Sequence, residues 1–173
     1  MSRSLSVGIS VSDVDKLIQA VNEHKHWLEQ RTNVFLQRLA GEGLAVAKAE
    51  FQSAVYDGDN DVSVSLDNRK NGVAIVAVGS SVLFIEFGTG VVYPDNHPEA
   101  GEQGMARGKY GQGKGSRKKW GYYGNPGTNG VVKKGKKGNL VVMTQGNPAN
   151  MSMYKSRKAV LASVDRIAKE VYR

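Results

Sequence analysis

An α+β fold is what this sequence predicts: a mainly antiparallel sheet packed against a long N-terminal helix and a C-terminal helix, with a long basic, glycine-rich loop and hairpin inserted between them. Three observations carry that expectation. Apolar residues recur at helical spacing toward both ends of the chain. In the middle they alternate at period two, as in strands. From Val91 to about Gln145 no helical period is sustained, and twelve of the 21 glycines fall between Gly101 and Gly138. The 173 residues are read as one domain, 1–173, with 91–145 as the extended insertion.

Taken in order, Leu5, Val7, Ile9 and Val11 alternate with Ser6, Gly8 and Ser10, which predicts a half-buried strand. Ser12, Asp13 and Asp15 suit a helix N-terminus, where carboxylates face unpaired N–H groups. Val14, Leu17, Ile18 and Val21 then give a short first helix ending between Asn22 and Lys25. A longer helix is expected from Trp27 to Val55, with Leu28, Phe35, Leu39, Val46 and the small residues Ala40, Ala47 and Ala54 supplying its inward stripe. Gly41 and Gly43 each cost up to ~1 kcal/mol of helix propensity there. The pair reads as a kink, as a close crossing by another backbone, or as a tolerated interruption.

Asp57-Gly58-Asp59-Asn60-Asp61 closes that helix, and Val62, Val64 and Leu66 alternate with Ser63, Ser65 and Asp67 as a strand. An Asn-Gly turn signal lies within Asn68 to Gly72. The returning strand, Val73 to Val78, is apolar on both faces and predicts a central position in its sheet. Val82 to Phe87, the densest apolar run in the chain, fits a short buried helix and a strand equally well. Further on, Trp120 to Tyr123 and Leu140 to Thr144 read as a hairpin whose extended tip, Gly124 to Gly138, carries two Lys-Lys pairs. Gln145 to Ala149 is a turn. The last helix, Met151 to Val171, sets Val160, Val164, Ile167, Ala168 and Val171 on one face.

Charge is unevenly placed. From Gln103 to Asn139 there are ten basic residues and no Asp or Glu: Arg107, Lys109, Lys114, Arg117, Lys118, Lys119, Lys133, Lys134, Lys136 and Lys137. The net charge is +8, so the rest of the chain carries −2. A localised cationic segment points to a polyanionic partner such as double-stranded DNA, which it would hold through phosphates without reading sequence. Trp120, Tyr122 and Tyr123 lie between the two basic strips. They read as base-stacking platforms or, more in keeping with a strand, as core or subunit interface. The absence of cysteine excludes disulfides and thiolate metal sites and fits a reducing cytoplasm. No signal peptide and no membrane-spanning run are expected.

Several constellations fail their own tests. Gly108 to Gly115 reads Gly-x-x-x-x-Gly-Lys-Gly, but Gly115 stands where a phosphate-binding loop needs Ser or Thr for magnesium. Asp57, Asp59 and Asp61 open like a calcium loop, yet Val62 and Asn68 occupy the positions of its Gly and its bidentate Glu. His24, His26 and His97 are the only histidines, and nothing assigns any of them a nucleophile. No enzyme activity, cofactor or metal is expected.

Ile85-Glu86-Phe87-Gly88-Thr89-Gly90 resembles the Glu-Phe-Gly-Thr motif of the tail-component family of long-tailed bacteriophages, known as head–tail joining, tail-completion or minor tail proteins. Gly146-Asn147-Pro148-Ala149 is similar to the Gly-x-Pro-Ala turn before that family's last helix. The order of elements agrees from about Asp13 to Arg173. Two departures stand out: Asn150-Met151-Ser152-Met153 replaces an Arg-Pro-Phe-like run, and the basic loop is unusually long. The resemblance implies a structural virion protein of the neck, assembled in the host cytoplasm. It implies a ring, six copies being favoured, that joins the tail tube protein to the head connector or adaptor and surrounds the DNA channel. Tail terminator and head-side adaptor both remain open, as does a stand-alone nucleic-acid-binding module using residues 103–139. On physical grounds, Gly88 and Gly90 permit positive φ or a close backbone approach. Glu86, flanked by Phe84, Ile85 and Phe87, needs backbone N–H groups or an arginine as partner.

Overall fold

A computed structural model describes residues 8, 10–56, 59–89, 97–105, 120–126, 130–144 and 146–173. Its architecture is α+β, in the order α1 (Val11–Ser53), β1 (Ser63–Arg69), β2 (Gly72–Val78), α2 (Val82–Phe87), β3 (Trp120–Tyr122), β4 (Val131–Lys134), β5 (Leu140–Thr144) and α3 (Ser152–Val171). The strands form two small antiparallel sheets, β1-β2 and β3-β5-β4.

The two expected N-terminal helices are one. α1 runs unbroken for 43 residues, about 65 Å at 1.5 Å per residue. Asn22 to His26 does not end it: those polar side chains are exposed on the helix surface, and none is a Gly or Pro that would break its backbone. Ser10 caps the helix, its hydroxyl accepting from the Asp13 N–H, so Ser12 lies inside the first turn. Val11, expected to end a strand, is already helical, while Leu5, Ser6, Val7 and Ile9 lie outside the described residues.

Gly43, and not Gly41, marks a close crossing. A Cβ on Gly43 would collide with Ile75 Cδ1 and lie 2.6 Å from Val160 Cγ2, whereas Gly41 faces open space. Ser156 of α3 donates to the Gly43 carbonyl at 2.7 Å, and both residues are buried. Leu39 meets Ile167 and Val171 nearby, with Phe35, Val160 and Val164 around them. Ion pairs Arg38–Glu170, Arg166–Glu42 and Lys155–Glu50 run along the edges of this helix pair.

A second core gathers Ala47 and Phe51 of α1, Val64 of β1 and Ile85 of α2. The β1-β2 hairpin pairs Arg69 with Gly72 across a two-residue turn and places Leu66 opposite Ile75. β2 is not central: among the described residues it pairs with β1 alone. Its apolar character serves α1 on one face through Ile75 and Ala77, while Ala74 and Val76 on the other are half-buried. The run Val82–Phe87 is a helix.

The inserted hairpin is also more elaborate than expected. The stretch predicted as an open tip contains β4, which pairs with the outer edge of β5: Val132 faces Val142 and Lys134 faces Leu140. β3 takes the other edge, with Tyr122 opposite Val142. Val142 is thus flanked on both sides and is buried.

Candidate functional site

The geometry with the most consequence lies where α2 meets the start of α3. α2 is a short helix that buries Ile85, Glu86 and Phe87 together, so its carboxylate has to be satisfied from outside it. Met151, the residue just before α3, has φ 59° and offers no side-chain cap to the helix. Each element supplies what the other lacks. Glu86 Oε2 accepts the Met153 N–H at 2.7 Å, and Oε1 accepts the Tyr154 N–H at 3.0 Å. A carboxylate from one helix thereby satisfies orphan donors in the first turn of another, where the helix dipole favours negative charge.

His97 completes the set. Its Nε2 lies 3.2 Å from Glu86 Oε1, and its Nδ1 accepts the Glu99 N–H at 3.1 Å. A neutral ring with its proton on Nε2 satisfies both bonds, so the hydrogen-bond pattern assigns that tautomer. The imidazole is buried between Phe87, at a ring-centroid distance of 4.5 Å, and Tyr154, at 5.7 Å. Glu99 in turn pairs with Arg157 of α3 at 2.8 Å.

The backbone closes the same junction. Asn150 N–H donates to the Ile85 carbonyl at 2.8 Å and Met151 N–H to that of Glu86 at 3.2 Å. Thr89 and Asn147 exchange two bonds of 2.9 Å: Thr89 N–H to the Asn147 carbonyl, and Asn147 N–H to Thr89 Oγ1. Gly88 ends α2 at φ 82°, a left-handed conformation suited to glycine, and Gly146 enters the turn at φ 96°. Glu86, Phe87, Gly88 and Thr89 are therefore brought together with Gly146, Pro148 and Ala149; Gly90 lies outside the described residues. Of the partners anticipated for Glu86, backbone N–H groups are present and the third donor is His97 rather than arginine. Chemically this is a clamp. The carboxylate is nearly dry and its oxygens are engaged by fixed donors.

The cationic residues divide differently. Arg107, Lys109, Lys114, Arg117, Lys118 and Lys119 lie outside the described residues, as does the phosphate-loop-like stretch Gly108 to Gly115. Lys133 and Lys134 are exposed on β4, and Lys136 and Lys137 are exposed in the turn that follows. Successive strand residues point to opposite faces, so Lys133 and Lys134 address opposite sides of the sheet. Among the described residues none of these four forms an ion pair. Tyr123 is exposed, so it is no part of this chain's own core. β5 runs from this basic turn to the buried Thr144 and directly into Gly146 and Asn147, so the Glu86 clamp fixes the root of the hairpin.

A second carboxylate site has no clear mark in the sequence. Asp61 accepts the Ser80 N–H and hydroxyl, both at 2.7 Å, and the Ser81 N–H at 3.0 Å together with the Ser81 hydroxyl. These bonds, the Ser81 hydroxyl first, hold its pKa well below the usual carboxylate range. An Asp in an Asp-rich turn resembles solvated charge, and only its serine partners some twenty residues later identify it as an anchor. Asp59 instead accepts from Asn125 at 3.3 Å, and Asp57 lies outside the described residues. Among the described residues no group of three or more His, Cys, Asp or Glu is placed to hold a metal ion. No described helix is long and apolar enough to cross a membrane.

No family model, curated protein or solved structure matches this chain.

Proposed function

We propose that this chain is a structural subunit of the neck of a long-tailed bacteriophage, assembling as a ring between tail tube and head connector around the DNA. The observation that carries the reading is the meeting of its two motifs. Glu-Phe-Gly-Thr and Gly-Asn-Pro-Ala, far apart in sequence, share one buried junction through Thr89–Asn147 and the Glu86 carboxylate. A site built to hold two elements rigidly suits a subunit that must present a hairpin in fixed geometry to a neighbour. In a closed ring the hairpin would either line the channel or reach the adjoining ring. Six copies, and the roles of terminator or adaptor, are what the resemblance implies.

Electron microscopy of lysates from a phage lacking this gene tests the reading. Filled heads beside separate tails are expected, with overlong tails if the subunit stops tube growth. Normally joined particles would overturn it.

The exposed lysines favour one further reading, a sequence-independent nucleic-acid-binding module. Under it, duplex affinity falls steeply with salt, by a log–log slope of about −0.9 for each phosphate neutralised. Replacing Lys133, Lys134, Lys136 and Lys137 with glutamine would then flatten that slope. An unchanged slope would remove the hairpin from DNA contact.

A further inference from the structure

α1 is packed along only part of its length. Phe35 and Leu39 seat against Val160, Val164, Ile167 and Val171 of α3. α3 ends at Val171, where Tyr172 meets Trp27 and Phe35 through its ring and bonds Thr32 through its hydroxyl at 3.0 Å. The apolar stripe does not end there. Counting back from Leu39 and Phe35 in alternating steps of four and three gives Thr32, Leu28, Lys25, Val21, Ile18, Val14 and Val11. The five apolar residues of this stripe between Val11 and Leu28 (Val11, Val14, Ile18, Val21 and Leu28) are exposed, by 40 % to 80 %.

Steps of three and four sustained in this way give the 3.5-residue repeat of a coiled coil, which closes only on another helix. We propose that this segment of α1 is a self-association helix, packing in parallel and in register against the same segment of a second copy. Continuity supports the kind of partner: the same seam already holds a helix, α3, where α3 is long enough to reach. Flanking charge supports the direction. One edge of the stripe carries Asp15, Asn22 and Glu29, the other Leu17, His24 and Arg31. An antiparallel pair sets the acidic edge against itself, whereas a parallel pair sets Glu29 against His24 of the second copy and Asp15 against Ser10. Lys25 is the one charge in the seam. Its ammonium is drawn toward Glu29, at 4.0 Å, so its stem covers the stripe and its head leaves it. A single polar residue at such a position fixes register at some expense of stability. This contact does not rest on the neck reading and stands or falls separately from it.

The natural absence of cysteine makes the test direct. The full chain carrying V21C, in the seam, is expected to form a disulfide-linked dimer on mild oxidation. E23C, on the opposite side of the helix, is expected to stay monomeric. Oxidising a mixture of the V14C and L28C chains reads the direction. A parallel register gives little heterodimer, and predominant V14C–L28C linkage would overturn it. The double variant Ile18→Asp, Val21→Asp should weaken self-association in sedimentation equilibrium by about tenfold or more. Thermal unfolding of its dilute monomer should match the parent's, because both side chains are exposed and neither belongs to either described core cluster. Absence of the V21C dimer, or undiminished association of the double variant, would overturn the proposal.

Discussion

Glu86 and Asp61 perform the same task in opposite surroundings. Each brings a carboxylate to backbone N–H groups at the start of a helix, Glu86 to α3 and Asp61 to α2. Glu86 does so almost out of water, with a third donor from His97. Asp61 is exposed and takes all four bonds from two adjacent serines. Donor number therefore does not rank the two sites. Access to water does: at Asp61 the carboxylate and Ser80 are exposed and only Ser81 is buried, so Ser80 can turn to solvent if it loses its partner, whereas Glu86 and His97 are both buried.

Truncation at the buried site tests that ranking most severely. Glu86→Ala strands the Met153 and Tyr154 N–H groups and the His97 Nε2 proton together, and should cost about 3–5 kcal/mol. Calorimetry should record this as a fall in melting temperature of roughly 10 °C. Hydrogen exchange should accelerate first at the start of α3. A loss below ~1 kcal/mol would mean that the junction relaxes or hydrates, and the contrast with Asp61 would vanish. Glu86→Gln sharpens the comparison by separating charge from shape. The amide keeps one acceptor oxygen but turns an NH₂ toward donors, so a loss of about 2–3 kcal/mol is expected. A Glu86→Gln protein as stable as the parent would show that negative charge contributes nothing at this helix start.

Much of the Glu86 site is legible in the sequence because a single carboxylate in an apolar run demands partners, and fixed backbone donors are among those it can find. The glycine at 88 and the turn before α3 are legible for the same reason: each is a residue type with a particular backbone use. His97 is not, since its only signature is spatial. Asn22 to His26 suggests a break in α1 that the structure does not have, because polar residues there interrupt one helical face without breaking the backbone. Their neighbours Val21 and Leu28 keep the seam in step, a 3.5-residue period that differs from the pattern of a core-facing helix. β4 is hidden because Val131-Val132-Lys133-Lys134 does not alternate; it is a strand by virtue of its pairing with β5, and all four residues are exposed. The Asn-Gly hairpin needs no such tertiary help, its register following from a short turn between two patterned strands.

A milder change inside the buried junction should fall between the two sites. Thr89→Val keeps shape but removes the hydroxyl that accepts the Asn147 N–H, and Thr89 is 3 % exposed. The expected cost is about 1–2 kcal/mol, read from denaturant midpoints at unchanged slope. Loss of the same size as Glu86→Ala would place the weight of the junction on the motif crossing rather than on the carboxylate.

Asp61→Asn should have the smallest effect at neutral pH, and its acid dependence supplies the last discrimination. The folded-state pKa of Asp61 is depressed, so its ionised form binds the serine donors more strongly than its protonated form does. The stability it contributes is present above the unfolded carboxylate value of about 4 and is lost as pH falls from there toward the folded value. The parent should therefore exceed Asp61→Asn in stability at neutral pH, and the gap should narrow steadily under acid. Because the site is exposed, high salt should also narrow the gap at neutral pH. A gap that stays constant from neutral to strongly acid pH would mean that the asparagine amide fails for geometric reasons, by presenting donors to the serine N–H groups. Asp61 would then differ from Glu86 in degree of access to water but not in the source of its contribution.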